Sequence, residues 1–192
     1  MYSKGNRQTA RTSCISEQQL SLINTLRRLA EQSVYRLRAV LTSIFFELPD
    51  RAANIRLLES AGGDIAAVLR RYYGDQRAQE CARLVAGRYR LAASLLSARL
   101  ELKVADSNRL RSQWAQNGRL LARGLHLLNP YWEEQQWNQL LFLQMKALEK
   151  AFEDKSEGDW YGEASRFDEL EERALQMADY LARGIVQQFV WA

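Results

Sequence analysis

The chain has 192 residues, which is the length of one domain or two small ones and enough to bury a hydrophobic core. Hydrophobic residues make up 47% and charged residues 26%, which excludes a disordered chain, and 10 Gly with 2 Pro are too few turn-forming residues for a β-sandwich or barrel. The net charge is +4, and no run of about 18 uninterrupted apolar residues predicts a membrane span.

The cysteines and the N-terminus bear on the compartment. Cys14 and Cys81 lie far apart, without CxxC spacing and without a nearby histidine, which excludes a disulfide framework and a zinc site. Residues 1–15 are polar and basic and lack the apolar stretch of a secretory signal. We therefore expect a flexible basic tail at 1–15, a single domain at 16–192 and a cytoplasmic location.

Five long helices and two short ones are predicted from apolar residues that recur with helical spacing between caps and breaks. Ser16 opens a capping-box pattern and begins a helix of about thirty residues that stops at Pro49. Asp50 is predicted to cap a short helix that ends at Ala61-Gly62-Gly63, and Asp64 to cap a second short helix.

The remaining helices are all long and follow one another with short connections. They are predicted to span about 76–103, 106–128, 130–154 and 161–188. Asn129 is the predicted cap of the third of these, with Pro130 at its first helical position. No segment has the alternating pattern of a strand, so we expect an all-α, up-down helical bundle in which the two short helices bridge one end.

Each long helix places one polar residue near the middle of its apolar stripe. These residues are Ser33, Arg88, Asn117, Gln144 and Glu171. A buried arginine requires a carboxylate partner, because an unpaired charge in a core is costly, and Glu171 is the predicted partner of Arg88. Two interpretations of this polar layer stay open. It is either a ligand site inside the bundle or a set of long side chains that reach solvent and fix helix register.

Three segments resemble small bacterial all-helical proteins that often carry an automatic label of acetylglutamate kinase. The segments are YYGDQ from Tyr72, LLNPYW ending at Trp132, and FDELEERALQMADYLARGIVQQF from Phe167. The resemblance covers about residues 25–189 and implies a fold and a site location rather than an activity.

The resemblance also implies what the polar layer is in those proteins. Histidines at the positions of Ser33, Arg88 and Gln144, together with a glutamate at Glu171, would form a metal site in a helical bundle. This chain has none of the three histidines. The resemblance therefore implies that the Arg88 cation stands where a metal cation stood.

Kinase chemistry is not supported by the residues. The chain has no GxxxxGK(S/T) loop and no predicted strand to hold a phosphate cradle. Its single histidine, His126, excludes a multi-histidine metal site of the usual kind, and no histidine follows a glutamate by three residues, as di-iron bundles require. We expect no catalytic residue, no bound metal and no cofactor.

Charge is distributed unevenly along the chain. Residues 1–128 carry a net charge of +11, and residues 129–192 carry −7. This pattern either marks a basic face for nucleic acid or anionic lipid, or lets the two parts pack with complementary surfaces. The basic residues are spaced through helical faces without an RNA-binding pattern, which favours complementary packing.

The sequence as a whole predicts a protein that acts by binding rather than by catalysis. The expected partner is a protein, a second copy of the chain in a homodimer, or a small anionic ligand. The competing hypothesis is a metal- or small-ligand-binding bundle with redox or hydrolytic chemistry. Nucleic-acid binding is the least favoured of the three.

Overall fold

The computed structural model describes residues 15–189, and this part of the chain forms seven α-helices and no strand. The helices are α1 (Glu17–Phe45), α2 (Arg51–Glu59), α3 (Ala61–Tyr73), α4 (Asp75–Leu100), α5 (Val104–Leu128), α6 (Glu134–Ser156) and α7 (Trp160–Gln188). The predicted all-α bundle of five long and two short helices is confirmed. Residues 1–14 of the predicted tail lie outside the described range. Within that range, none of the helices is both long and apolar enough to cross a bilayer.

The chain runs alternately up and down between a lower end, where α1 begins, and an upper end, where α1 ends, with α2 and α3 together forming one descending segment. α1 packs along α7 in the opposite direction, since Arg27 pairs with Asp179 near the end of α7 and Arg38 pairs with Glu163 near its start. The two short helices, α2 and α3, together return the chain to the lower end, where Tyr73 bonds to the last turn of α7. From there α4, α5 and α6 pack in sequence, and α6 packs on α7.

The starts of α1 and α2 lie where the sequence predicts them. The Ser16 hydroxyl accepts a hydrogen bond from the Gln19 backbone at 3.2 Å, and the Gln19 side chain accepts one from the Ser16 backbone at 3.0 Å, which confirms the capping box. Asp50 precedes α2, but its carboxylate accepts a hydrogen bond from Ser43 at 2.7 Å instead of capping the helix.

The predicted break at Ala61-Gly62-Gly63 is wrong. These three residues form the first turn of α3, and Asp64 lies inside the helix rather than at its cap. Gly62 packs so closely on α4 that a Cβ atom there would overlap the Ala82 carbonyl oxygen. The glycine therefore serves the close approach of two helices and not the end of one.

Asn129 and Pro130 do not begin a helix, which corrects a second prediction. Asn129 follows the last residue of α5 and is fully buried, and α6 begins only at Glu134. The Asn129 amide nitrogen donates to the Tyr73 hydroxyl at 2.9 Å, and its amide oxygen accepts from the Tyr131 backbone at 2.9 Å. Because the amide oxygen bonds a backbone nitrogen only two residues away, it closes a turn. The amide nitrogen joins this α5–α6 connection to α3.

The charge asymmetry of the sequence becomes ion pairs between helices. Two buried glutamates of the acidic part pair with arginines of the basic part: Glu149 with Arg111 at 2.6 Å, and Glu163 with Arg38 at 2.9 Å. A buried carboxylate is tolerated when it is paired in this way. These pairs support the interpretation that the two parts of the chain pack with complementary surfaces.

The apolar core consists of two clusters that meet at mid-height. The lower cluster includes Leu26, Leu121 and Leu181, and the upper cluster includes Leu41 and Leu148. Every long helix contributes buried residues to both clusters. The level at which the clusters meet is the level at which the sequence predicts a polar layer.

Gly184 provides a test of this packing. A Cβ atom at position 184 would overlap the indole nitrogen of Trp132, which is fully buried. We expect Gly184→Ala to lower the free energy of unfolding by about 1–3 kcal/mol through overpacking. The matched control is Gly124→Ala in α5, where the nearest atom to the new Cβ is Leu84 Cδ1 at 3.9 Å.

Because alanine has the higher helix propensity, the control should gain up to about 1 kcal/mol. Urea unfolding of both variants measures the two changes. Stabilisation of both proteins would contradict the close packing of α7 on Trp132.

Candidate functional site

Arg88 lies in the middle of α4 and is the only arginine that is buried among the described residues, with 4% of its surface exposed. Its Nη2 donates a hydrogen bond to the Leu141 carbonyl oxygen at 2.6 Å, and its Nε donates a longer one to the Gln144 side-chain oxygen at 3.4 Å. The guanidinium carbon lies 5.1 Å from the centre of the Trp114 ring. The cation is therefore surrounded by neutral partners from α5 and α6.

No carboxylate in the described part of the chain forms an ion pair with Arg88. Burial lowers the pKa of Arg88 to about 10, against a small opposing effect of Tyr89, so the guanidinium stays charged at neutral pH. Carbonyl dipoles and an aromatic face offset only part of the cost of removing a charge from water. Arg88 is therefore a buried cation without a counter-ion among residues 15–189.

One nitrogen of the guanidinium is free. Nη1 makes no hydrogen bond to the described residues, and a Cβ atom at Gly118 would lie 3.1 Å from it. Gly118 lines a groove of about 220 Å³ between α5 and α6, together with Arg119, Asn138 and Met145. The missing side chain at Gly118 leaves room beside Nη1 on the groove side.

The groove contains two further polar side chains with unused hydrogen-bonding capacity. Arg119 is exposed and forms no ion pair within residues 15–189, and the half-buried Asn138 amide makes no hydrogen bond there. Arg88, Arg119 and Asn138 thus bring two guanidinium groups and an amide to the walls of one groove. This donor-rich arrangement is suited to an oxyanion.

The predicted pairing of Arg88 with Glu171 is wrong. Glu171 is exposed and takes part in no ion pair with any described residue. The buried face of α7 runs through Phe167, Leu170 and Ala174, so Glu171 lies one position beside it. The level of Arg88 falls between the upper and lower clusters, to which α7 contributes the apolar residues Ala174 and Ala178.

The other predicted residues of the layer divide into two groups. Gln144 is buried and contacts Arg88, as expected. Ser33 instead donates to the Leu29 carbonyl at 2.8 Å. Burial raises the pKa of the nearby Tyr89, and the neighbouring Ser33 lowers it.

Asn117 is also separate from the arginine. Its amide nitrogen donates to the Leu84 carbonyl at 3.2 Å, and its buried amide oxygen has no partner among the residues that the structure describes. Sequence reasoning missed the parts played by Trp114 and Gly118. For Gly118 the sequence did contain a signal, since a glycine in the middle of a long helical stripe often marks a close approach of another group to the helix backbone.

The metal site implied by the resemblance does not fit these residues. A guanidinium has no lone pair to donate to a metal, and Glu171 lies outside the layer. In the described range, no three His, Cys, Asp or Glu side chains are grouped so that they could hold a metal ion. Cys81 does not compensate, because burial raises the pKa of its thiol to about 12.

Comparison of the chain with protein-family models, with curated proteins and with solved structures gives no match. The geometry around Arg88 is therefore the basis for any statement about function.

The missing counter-ion of Arg88 leads to a prediction about the free energy of unfolding. Replacing a buried charge with an apolar side chain of similar length removes the cost of desolvation, so Arg88→Met should leave the free energy of unfolding unchanged or raise it by about 1–4 kcal/mol. Glu171→Gln should change it by less than about 0.5 kcal/mol, as expected at an exposed position. Urea unfolding of the two single variants and the double variant gives the coupling energy. A coupling energy above about 1 kcal/mol would show that Arg88 and Glu171 interact, and would contradict the absence of a counter-ion.

Proposed function

We propose that the protein binds a small oxyanion, of which a carboxylate is the favoured form, in the α5–α6 groove beside Arg88. The observation that carries the proposal is the buried guanidinium, whose Nη1 is free and which has no counter-ion in the described part of the chain. A ligand anion would supply the missing negative charge. Because the arginine is already desolvated, the interaction would be stronger than the same contact at an exposed site.

The partners already bound to Arg88 determine how it can act. Nη2 and Nε are held by Leu141 and Gln144, so Arg88 offers the free nitrogen Nη1, with its two N–H groups, in a fixed position. Arg119, on the rim of the same groove, offers its whole guanidinium fork. We propose that Arg88 fixes the position of the anion and that Arg119 adds charge and capture from solvent.

The size of the groove limits the ligand. Its volume is about 220 Å³, and an apolar cavity of about 150 Å³ is known to hold one benzene molecule. A carboxylate with a ring or a short chain fits this volume. On the α6 wall, the half-buried Asn138 would contact the carboxylate of such a molecule, and the apolar Met145 would contact its ring or chain.

The other hypotheses from the sequence are supported by the structure to different degrees. A role for Arg88 in helix register alone is the competing interpretation, and it predicts no response to anions. Metal-dependent redox or hydrolytic chemistry is not proposed, because the layer lacks suitable ligands. A homodimer, another protein partner and a cytoplasmic location stay predictions.

Benzoate titration tests the proposal. Calorimetry and thermal unfolding at low ionic strength compare benzoate and inorganic phosphate with benzamide, which has nearly the same shape as benzoate but no charge. We expect benzoate to bind more tightly than benzamide and to raise the unfolding temperature. Since a hydrogen bond to a charged group contributes about 1.5–3 kcal/mol, Arg88→Met should weaken benzoate binding at least about tenfold.

The matched control is Arg83→Gln, which removes an exposed, unpaired arginine from the same helix. It should change benzoate affinity less than about twofold. Equal losses in both variants would indicate general attraction to a basic surface. No response of the native protein to any anion would assign Arg88 to helix register.

Nucleic-acid binding is a second candidate because of one specific observation. Arg77, Arg83, Arg119 and Arg123 are exposed on α4 and α5, and none of them forms an ion pair with a described residue. In a gel-shift assay over a range of salt, affinity should fall steeply if these side chains contact phosphates, and the double change Arg83→Gln with Arg123→Gln should reduce the salt slope by about 2. A slope that the double variant does not change would exclude this surface.

A further inference from the structure

The solvent side of α5 combines cations with exposed leucines in one row. Leu120 and Leu127 lie about two helical turns apart and are 51% and 72% exposed. Arg119 and Arg123 are exposed on the same side of the helix, since residues three, four and seven positions apart share one helix face. The outer row of α5 is therefore both cationic and apolar.

The grooves on either side of α5 extend this row onto the neighbouring helices. Leu127 lines the α4–α5 groove together with Arg77 and Arg83 of α4. Phe142 of α6, which is 53% exposed, lines the α5–α6 groove together with Arg119. These residues form one surface, the α5 face, which consists of the cations Arg77, Arg83, Arg119 and Arg123 and of the apolar residues Leu120, Leu127 and Phe142.

Acidic residues of the protein leave the positive charge of the α5 face largely uncompensated. None of its arginines forms an ion pair with a residue in the described range. Between Asp106 and Glu133 the sequence contains no Asp or Glu. Glu80 lines the α4–α5 groove, and its carboxylate accepts a hydrogen bond from Gln76 at 3.5 Å. The α5 face is therefore a region of positive potential that also exposes apolar side chains.

We infer that the α5 face binds the surface of an anionic phospholipid bilayer. The leucines and Phe142 enter the layer between the headgroups and the acyl chains, and the arginines contact the lipid phosphates. Both kinds of group contribute, because the strength of such binding comes from buried apolar area together with attraction to anionic lipids. Arginine suits this position, since its aliphatic stem lies along apolar groups while the guanidinium stays at the level of the phosphates.

The exposed leucines favour a membrane over a nucleic acid as the partner of these arginines. Both partners present phosphates, but a nucleic acid has no apolar layer in which Leu120 and Leu127 could be buried. Bases stack on aromatic side chains, whereas the row on α5 carries leucines. The inference goes beyond the anion groove and does not rest on it, because neither leucine lines that groove.

Co-sedimentation of the full chain with lipid vesicles tests the inference. Vesicles of pure phosphatidylcholine are compared with vesicles that contain one-third phosphatidylglycerol, at several salt concentrations. We expect binding to the anionic vesicles to be at least about tenfold stronger and to weaken as salt is added. Equal binding to both kinds of vesicle, or binding to neither, would overturn the inference.

Substitution of the leucines distinguishes a membrane from other polyanions. Leu120→Ser together with Leu127→Ser should weaken binding to the anionic vesicles at least about fivefold, because the inserted apolar groups are lost. The matched control is Leu57→Ser, since Leu57 is 50% exposed but lies on α2, outside the α5 face. The control should change binding less than about twofold. Native-like vesicle binding by the double leucine variant would overturn the inference, because charge alone would then explain the attraction.

Substitution of the arginines gives an independent result, which decides even if the leucine variant does not fold. Arg83→Gln together with Arg123→Gln should weaken binding to the anionic vesicles at least about tenfold. The matched control is Arg28→Gln together with Arg71→Gln, which removes the same charge from two exposed arginines of the α1–α3 groove that form no ion pair with a described residue. The control should change binding less than about threefold. Equal losses in the two double variants would overturn the inference.

A DNA duplex and the Arg88→Met variant complete the comparison. If the native protein binds the duplex and not the anionic vesicles, the α5 face is a nucleic-acid surface and the inference is wrong. Arg88→Met should bind the vesicles as tightly as the native protein, since Arg88 is buried beneath the face. Failure of the anion groove and failure of the membrane surface are therefore distinguishable.

Discussion

Burial of the Arg88 guanidinium at mid-height is the constraint around which the interior of the bundle is arranged. Apolar side chains form one cluster toward each end, and the arginine lies where the clusters meet. The helices α5 and α6 supply its partners, which are the Leu141 carbonyl, the Gln144 side chain and the face of the Trp114 ring. Because a charge cannot be buried without such partners, the axial positions of these helices relative to α4 are tied to one side chain.

Close packing supports this arrangement at the lower end and between the short and long helices. Gly184 and Gly62 remove side chains where α7 meets Trp132 and where α3 meets α4. Ion pairs at Glu149 and Glu163 then join the basic and acidic parts of the chain. Steric fit and charge complementarity therefore select the same set of neighbouring helices, which is the consistency expected of a sequence that specifies one fold.

A buried cation lowers stability, and so does a central cavity of about 120 Å³ that Arg88 lines together with apolar residues of the lower cluster. Such features persist in proteins where a binding site requires them, and stability is then given up in exchange for function. Arg88 borders the α5–α6 groove on one side and the central cavity on the other. Arg88 therefore lies between two spaces of different chemistry, a donor-rich groove and a largely apolar cavity.

Helical spacing and capping patterns were sufficient to predict the fold class, the five long helices and the inward position of Arg88 and Gln144. These features are local, because they depend on a period of about 3.6 residues and on side chains within one turn of a helix end. Periodicity also predicted that Glu171 lies in the core, but Glu171 is exposed in the structure. Adjacent residues at the edge of a stripe differ by about 100° around the helix, and only the neighbouring helices determine which one is covered.

The tertiary structure alone decided three matters. It decided that Asn129 joins α3 to a turn rather than capping α6, because its partner Tyr73 is distant in sequence. It decided that Gly62 serves helix contact rather than a break. It also decided that Arg88 has neutral partners instead of Glu171. A partner across an interface depends on the distance and rotation between two helices, and neither quantity is encoded in the spacing of residues along one helix.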